Sequence, residues 1–260
     1  MYLGVDEAGK GPVLGPMVSA AVFADPASLP ADVDDSKRLS PERREAMAET
    51  MRGSDRVAVG VAFVEPAEID RPDTDMNTLT VRGQARAVRA ALGEIAGVTG
   101  VERPAEPVRV VADAGDTSEA RFARRLGAFA EGGDDLGGND TGGGDPEDGG
   151  RVVVDSEGDE SAALPPVDVE SFHGADEADP VVGAASVVAK VARDDRMAAI
   201  DDGYPGYEAV GSGYPSDPTT RSFLRAYVAD NGDVPECARR TWSTCDDVLA
   251  AAEQSGLDDF

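Results

Sequence analysis

Short apolar runs, separated by glycine and proline, dominate the N-terminal part of the chain. Residues Tyr2 to Ala8, Leu14 to Ala24 and Arg56 to Val64 form three such runs, the second of which follows a Gly/Pro turn. Apolar runs of this length between turn residues are typical of buried β-strands. We therefore predict that the first two strands lie side by side and that the third completes a meander.

Helical patterns lie between and after these strands. Ser40-Pro41-Glu42 combines an N-cap serine with a first-turn proline, which predicts a helix to about Met51. From Asn77 to Ile95 an approximate apolar stripe at helical spacing predicts a longer helix. That stripe consists of Leu79, Ala85, Val88, Leu92 and Ile95.

The second half of the chain alternates between strand and helix patterns. Strands are predicted at Pro107 to Asp113 and Val167 to Phe172, with a helix from about Ser118 to Ala130 between them. Strand, helix and strand in this order indicate a parallel βαβ unit. Three further helices are predicted, at Val181 to about Ala199, Pro218 to Val228 and Ser243 to Ala252.

One segment lacks the composition of a folded structure. Glu131 to Gly150 contains nine glycines and seven acids, without a basic or aromatic residue. Such a segment cannot bury enough apolar surface to become ordered. We predict a disordered surface insertion over residues 131–163, with room for a short hairpin at Arg151 to Asp155, inside a catalytic domain of residues 1–200. Residues 201–260 are predicted to form a helical part packed on that domain.

The chain is strongly acidic, with a formal net charge of -27 from 51 acidic and 24 basic residues, of which only three are lysines. This charge fits a protein that binds cations or basic partners, or one adapted to molar salt. The scarcity of lysine with arginine retained favours adaptation to salt. At about 1 M ionic strength the screening length is about 3 Å, so net charge does not exclude a phosphate-rich partner.

Cysteine usage and hydropathy bear on the compartment. Cys237 and Cys245 are the two cysteines, seven residues lie between them, and neither belongs to a CxxC pair. Neither a disulfide framework nor a zinc site is indicated. The N-terminus lacks a charged region before an apolar stretch, and no run of about 18 apolar residues occurs. We therefore expect a cytoplasmic, soluble protein without membrane contact.

Acidic residues follow two of the predicted strands. Asp6 and Glu7 end the first apolar run, and Asp113 ends the fourth. If these two strands are parallel neighbours, their acids emerge at the same edge of the sheet. Because neighbouring residues of a strand face opposite ways, Asp6 and Glu7 converge only if the strand ends or kinks there. Solvated strand-end acids are the alternative, and Asp116 could instead cap the next helix.

A further acid precedes the helix that begins near Val181. Asp176 is one candidate, and Asp179, directly before Pro180, is the competing one and an equally good helix N-cap. Three or four carboxylates without histidine partners suit a hard cation such as Mg²⁺. Two such ions, about 4 Å apart, can stabilise the attacking and leaving oxygens of phosphodiester hydrolysis.

Several other residues have both a functional and a structural interpretation. The segment GKGPVLG is not a dinucleotide-binding fingerprint, but Gly9-Lys10-Gly11 allows close backbone approach. Tyr214, in a Gly/Pro-rich turn, either stacks on a sugar or base or packs against the protein. His173, the sole histidine, is a strand-end residue or a proton shuttle. Three basic residues at helical spacing either form a solvated face or contact phosphates; they are Lys190, Arg193 and Arg196. The same two interpretations apply to the turn Ser36-Lys37-Arg38.

These residues resemble the ribonuclease HII family, the type 2 ribonucleases H. The resemblance is carried, in family order, by GVDEAGKGPVLGPMV, DSKRLS, VVADAGD, HGADEADPVVGAASVVAKVARD, GSGYPSDPTT and RRTW. These blocks lie between residue 4 and about residue 242. The resemblance implies an α/β, ribonuclease H-like fold: a five-stranded mixed sheet flanked by helices, with a helical C-terminal part.

The resemblance also implies an activity and a set of site residues. The family hydrolyses the RNA strand of RNA/DNA hybrids and cuts 5′ to ribonucleotides in duplex DNA, using Mg²⁺ or Mn²⁺, with two ions when substrate is bound. The implied catalytic and metal-binding acids are Asp6, Glu7, Asp113 and Asp176. Gly9, Lys10 and Gly11 would sense a ribose 2′-hydroxyl, Tyr214 would stack at the RNA-to-DNA junction, and Lys190 and Arg193 would bind substrate.

Some features depart from the family or leave alternatives open. Lys10 stands where arginine is commoner in the family. Gly174 stands where the family often has lysine, and this second difference could weaken phosphate binding. A monomer is expected; residues 256–260 contain an apolar pair but no convincing clamp-binding peptide, so a sliding clamp is unsupported. The alternatives are a ribonuclease H-fold nuclease for DNA, such as a junction resolvase, and a non-catalytic acidic cation-binding protein.

Overall fold

The computed structural model describes residues 1–31, 33, 39–101, 107–132 and 164–257, and for residues 255–257 only the backbone. Several predictions fall outside these residues. They are the Ser36-Lys37-Arg38 turn, the insertion apart from Glu131 and Gly132, the hairpin at Arg151 to Asp155, and the end of the 256–260 stretch.

Five strands form one mixed sheet. They are β1 Tyr2–Ala8, β2 Met17–Ala24, β3 Ala58–Val64, β4 Val108–Asp113 and β5 Val167–Phe172. Their order across the sheet is β3-β2-β1-β4-β5. β1, β2 and β3 are antiparallel neighbours, whereas β4 pairs parallel with β1 and β5 parallel with β4. The predicted meander and the predicted parallel unit are therefore both confirmed.

The second strand begins later than predicted. We expected it from Leu14, but β2 starts at Met17. The backbone amides of Val13 and Leu14 donate to the Gly213 carbonyl at 2.7 and 3.1 Å, and Leu14 forms an isolated bridge with Ala238. Residues 13 and 14 thus pair with the C-terminal part of the chain instead of continuing the sheet.

Eight α-helices occur in the described residues. They are α1 Pro41–Arg52, α2 Pro66–Ile69, α3 Met76–Glu94, α4 Glu119–Ala130, α5 Ala175–Ala178, α6 Pro180–Asp202, α7 Pro218–Asn231 and α8 Ser243–Leu257. The six longer helices match the predicted ones. At the starts of five of these helices, the N-cap side chain accepts hydrogen bonds from backbone N–H groups that have no partner within the helix. These N-cap residues are Ser40, Asp75, Ser118, Asp179 and Asp217.

Helices cover both faces of the sheet. One core joins the sheet to α3 and α4 and contains Leu3, Val5, Val88, Val110 and Phe122. The opposite core joins it to α1 and α6 and contains Ala20, Val22, Met51, Val181 and Val188. Because side chains alternate along β1, Leu3 and Val5 enter the first core, and residues 4 and 6 face α6.

The C-terminal part packs against the start of the chain. Val13 and Leu14 share a core with α7 and α8 through Phe223, Leu224 and Cys245. Beside this core, four aromatic rings lie edge-to-face or tilted: Tyr204, Tyr207, Phe223 and Tyr227. A domain boundary near residue 200 remains a prediction.

None of the described helices has both the length and the apolar character needed to cross a bilayer.

Gly4 lies where α6 crosses β1, and the two backbones approach closely there. A Cβ at Gly4 would lie 2.3 Å from the carbonyl carbon of Val181, whereas a Cβ at Gly93, on the exposed side of α3, would meet nothing within 4 Å. We predict that Gly4→Ala lowers the free energy of unfolding by about 3 kcal/mol, because helix and strand must separate. The matched variant Gly93→Ala should be neutral or slightly stabilising.

Thermal and denaturant unfolding of both variants in molar KCl measures this difference. Equal stability of the Gly4→Ala and Gly93→Ala proteins would contradict the close packing.

Candidate active site

Asp6 and Glu7 lie on opposite faces of the sheet. β1 continues to Ala8 without a kink, so the two side chains leave the strand in opposite directions. Asp6 is 5% exposed and faces α6, where it is hydrogen-bonded to Ser186. Glu7 faces α3, and Gln84 Nε2 donates to its Oε2 at 2.7 Å. The two carboxylates are nevertheless close enough for Glu7 to repel Asp6 electrostatically.

The parallel pairing of β1 and β4 places Asp113 next to Asp6. Val5 is paired with Ala112, so the acid that follows each of them emerges at the same edge. This confirms the expected arrangement of the two strands. Asp113 Oδ1 accepts a 2.8 Å hydrogen bond from the amide of Ala175, in the first turn of α5. The buried Asp176 is the next residue, and this bond therefore brings it to the end of β4.

Two of these acids resist ionisation. Burial raises the pKa of Asp6 well above its ordinary value, and repulsion from Glu7 and Asp113 adds to the rise. Burial also raises the pKa of Glu7, to which Asp113 and Asp176 contribute by repulsion, although the Gln84 hydrogen bond and the charge of Lys10 oppose it. The four acids thus act on one another electrostatically, and Lys10 and Lys190 oppose only part of the rise.

The chemistry of this group fits a hard divalent cation. It offers carboxylate oxygens without imidazole or thiolate, and its mutual repulsion is relieved by a bound cation. In the part of the chain that the structure describes, no three acid, cysteine or histidine side chains are placed to hold a metal ion together. Mg²⁺ usually takes one or two carboxylates and completes its shell with water and substrate phosphates. The donor set is compatible with that manner of binding.

A cleft of about 450 Å³ opens beside Glu7. All six residues predicted to bind substrate line it: Gly9, Lys10, Gly11, Lys190, Arg193 and Tyr214. Arg44, which the sequence did not single out, lines it as well. The cleft therefore brings four basic side chains together beside the acidic group.

Arg193 resolves the ambiguity of the basic residues on α6. Its side chain is buried, its Cζ lies 5.4 Å from the centre of the Tyr214 ring, and Nη2 donates to the Ser212 carbonyl at 3.2 Å. Burial lowers its pKa. Arg196 instead forms an exposed 2.8 Å ion pair with Glu65, and Lys190 donates to Ser186 Oγ. The solvated-face interpretation thus holds for Arg196 and not for Arg193.

The Lys10 side chain is held by hydrogen bonds, whereas the Tyr214 side chain is partly exposed. Lys10 Nζ donates to the Gly115 carbonyl at 2.5 Å and to Asn77 Oδ1 at 3.3 Å, so it connects the glycine loop to α3 and to the end of β4. Tyr214 is 43% exposed, with Arg193 against its ring. Its exposed surface can take part in stacking.

The competing acids have structural partners. Asp116 is buried and accepts from Arg121 at 2.7 Å, and its pKa is lowered despite burial because of that side chain. Asp179 is the N-cap of α6 and also accepts from the Tyr2 hydroxyl at 2.8 Å, which confirms the capping interpretation. Both nitrogens of His173 are within 2.8 Å of acceptors, Glu119 Oε1 and the Asp116 carbonyl, and these bonds raise its pKa.

Besides Arg44, three residues at the site escaped sequence reasoning. Gln84 is fully buried on α3 and also donates to the Asp113 carbonyl at 3.1 Å, and its only signal was a polar residue beside an apolar stripe. Arg239 donates to the carbonyls of Gly9 and Lys10, and Trp242 Nε1 donates to the Gly11 carbonyl. The last two belong to RRTW, a block noted only for its resemblance.

A family model and two relatives that match this chain bear the name Ribonuclease HII. A model described as Ribonuclease HII matches residues 3–125 and 150–245. A protein named Ribonuclease HII from Haloarcula marismortui is 49% identical over 260 residues and is covered, like this chain, to 100%. Its namesake from Thermococcus kodakarensis is 34% identical, with 96% of this chain and 90% of that protein covered.

Solved structures of similar proteins share the fold of this chain. The ribonuclease H2 from Pyrococcus horikoshii OT3 is 28% identical, with a TM-score of 0.69 and coverage of 97% of this chain and 98% of that one. The PCNA:RNase HII complex from Archaeoglobus fulgidus matches at 29% identity and a TM-score of 0.69, with 100% of both chains covered. Bst-RNase HIII in complex with Mn²⁺ is 18% identical, with a TM-score of 0.62 over 97% of this chain and 70% of that one, and shares the fold.

The raised pKa of Asp6 predicts a stability effect. A carboxyl whose pKa is higher in the folded state than in the unfolded state destabilises the fold once the pH exceeds its unfolded value. At pH 7 without divalent ions, we therefore expect Asp6→Asn to raise the melting temperature by a few degrees. Calorimetry in molar KCl with EDTA measures this.

Two control conditions sharpen that measurement. The difference between Asp6→Asn and the unmodified protein should shrink as the pH falls towards 4, where the native carboxyl is protonated, and it should shrink when Mg²⁺ is added. An Asp6→Asn protein that melts lower than the unmodified one in EDTA at pH 7 would contradict the electrostatic strain.

Proposed function

Because the chain belongs to the ribonuclease HII family and is thus a ribonuclease H, we propose that it hydrolyses the RNA strand of RNA/DNA hybrids and cuts 5′ to ribonucleotides embedded in duplex DNA. The products would carry 3′-hydroxyl and 5′-phosphate ends. The observation that carries the proposal is the position of the cleft. The glycine loop, an exposed tyrosine and basic side chains line one cavity with Glu7, next to a group of buried acids.

Asp6, Glu7, Asp113 and Asp176 would hold the metal. When bound, two divalent ions, Mg²⁺ or Mn²⁺, supply charge neutralisation and an activated water for phosphodiester hydrolysis. The chain prepares for them by holding carboxylates in a buried place where their repulsion is only partly compensated. Ser186 and Lys190 on one face of the sheet, and Gln84 on the other, orient Asp6 and Glu7 and limit that repulsion.

The cleft would recognise the substrate by its sugar and by its stacking. The 2′-hydroxyl distinguishes RNA from DNA at a given position. Gly11 has no side chain and faces the cleft, and a Cβ there would lie 3.9 Å from Tyr214, so backbone atoms can approach a ribose closely. Tyr214, held by Arg193, would stack on the nucleotide next to it.

The basic residues would offset the negative charge of the protein surface at the cleft, where the substrate phosphates must approach. Arg44, Lys190 and Arg193 line the cleft of a chain with net charge -27. At about 1 M salt, long-range repulsion is screened within about 3 Å, whereas contacts between guanidinium and phosphate persist. We propose that the enzyme works in molar salt.

Other expectations about the chain remain predictions. They are a monomeric state, a cytoplasmic location and the absence of membrane partners. A relative from Archaeoglobus fulgidus was solved with PCNA. The sequence of this chain has no convincing clamp-binding peptide, so a clamp is not part of the proposal.

Removing one acid tests the chemistry. We expect Asp6→Asn to reduce cleavage of a duplex with a single ribonucleotide by at least about 10³-fold, because a carboxylate that holds the ions is lost. The assay uses Mg²⁺ or Mn²⁺ in molar KCl. The matched variant Asp168→Asn, at an exposed position of β5, should keep the unmodified rate. Full activity of Asp6→Asn would remove Asp6 from the mechanism.

Substrate choice tests the glycine loop. We expect Gly11→Val to lose at least about tenfold in cleavage at a ribonucleotide, because its side chain fills the space that the sugar needs, while its melting temperature changes little. An all-DNA duplex and a four-way junction serve as further substrates. Cutting of these by the unmodified protein would favour a junction-resolving nuclease instead.

A further inference from the structure

Arg239 is a fully buried arginine whose guanidinium hydrogen bonds all go to one loop. Its Nε donates to the Gly15 carbonyl at 3.0 Å, Nη1 to the Lys10 carbonyl at 2.9 Å and Nη2 to the Gly9 carbonyl at 2.6 Å. Among the described residues it forms no ion pair. Burying an arginine without a counter-ion is costly, so the three carbonyl dipoles must supply most of the compensation.

Trp242 adds a fourth carbonyl to this arrangement. Its ring centre lies 5.1 Å from Arg239 Cζ, and its Nε1 donates to the Gly11 carbonyl at 3.3 Å. Together the two side chains fix the carbonyl directions of Gly9, Lys10, Gly11 and Gly15. All four point towards the segment that carries Arg239.

The directions of the carbonyls determine those of the amides. In a planar trans peptide, the C=O of one residue and the N–H of the next point in opposite directions. No cis peptide bond occurs in the described residues. Because the Gly9 and Lys10 carbonyls point at Arg239, the N–H groups of Lys10 and Gly11 point away from it. Both residues line the cleft.

The other amides of this loop are used or absent. Val13 and Leu14 donate to the Gly213 carbonyl, and Gly15 donates to the Cys237 carbonyl at 2.8 Å. Pro12 and Pro16 follow Gly11 and Gly15 and have no N–H. Among residues 10–16, the Lys10 and Gly11 amides are thus the two donors without an acceptor in the described part of the protein.

We propose that Arg239 is a positioning residue for substrate selection, which aims the Lys10 and Gly11 N–H groups into the cleft to donate to a ribose 2′-hydroxyl oxygen. The inference rests on the proposed function. Arginine suits this role because its planar fork reaches three carbonyls in fixed directions, and lysine cannot reproduce that geometry. A segment more than 220 residues away in sequence therefore sets the conformation of the selective loop.

The test compares affinities for two duplexes of the same sequence, one with a single ribonucleotide and one all-DNA. Binding is measured by anisotropy of labelled duplexes in molar KCl, with Ca²⁺ replacing the catalytic ion. We expect Arg239→Lys to reduce the ratio of the two affinities by about tenfold, mainly by weakening binding of the ribonucleotide duplex. The matched control is Arg240→Lys, because Arg240 is exposed and pairs with Asp233 on the surface. It should leave the ratio unchanged.

Hydrogen exchange provides a readout that needs no substrate. Loss of the Arg239 fork should speed exchange of the Lys10 to Gly15 amides relative to those of β1 and β2. Trp242→Phe removes the Nε1 bond to Gly11 but keeps an aromatic ring beside Arg239, so it serves as a milder variant if Arg239→Lys fails to fold. We expect it to reduce the affinity ratio about threefold.

The outcomes separate the inference from the function on which it rests. A folded Arg239→Lys or Trp242→Phe protein that keeps the unmodified ratio, or that weakens both duplexes equally, would overturn the positioning role. If the unmodified protein itself binds both duplexes equally, the proposed function fails instead. Faster loop exchange in Arg239→Lys would then still support the positioning of the loop.

Discussion

The register of the parallel pair β1 and β4 is the constraint on which the site depends. Val5 lies opposite Ala112, so Asp6 and Asp113 leave neighbouring strands side by side. A shift of one residue would turn Asp113 to the other face of the sheet. That register is fixed by the core that the sheet forms with α3 and α4, because both Val5 and Ala112 enter it. The placement of the acids is thus a consequence of ordinary apolar packing.

Local sequence was enough to predict the strands, the longer helices and the edge at which Asp6 and Asp113 emerge. It failed where contacts distant in sequence decide. β2 starts at Met17 because Leu14 pairs with Ala238. The short helix α5 begins after its N-cap Gly174, whose φ is 72°, and the amide of Ala175 in its first turn donates to Asp113. A four-residue helix has no periodicity to detect. Whether β1 ends or kinks at Asp6 and Glu7 was left open by the sequence, and pairing with β2, which continues to Ala8, places the two side chains on opposite faces.

The distribution of basic residues has a clearer meaning than the net charge. Two of the three lysines, Lys10 and Lys190, line the cleft, while Lys37 lies outside the described residues. Arg193 is buried there against Tyr214. In molar salt, solvated surface charges act over a few ångströms only, so an acidic surface does not prevent phosphates from approaching. A site that binds phosphates by direct contact needs basic side chains at the contact, and basic side chains line this cleft.

The site holds buried ionisable groups of both signs that are not paired with one another. Asp6 and Glu7 have raised pKa values, whereas burial and the nearby Arg193 lower the pKa of Arg239 to about 10. Arg239 does not neutralise these acids, because its guanidinium donates to the carbonyls of the glycine loop. Charges kept apart in this way cost stability in the free protein. They are complementary to a ligand that brings cations and phosphates together, which a nucleic acid with bound divalent ions does.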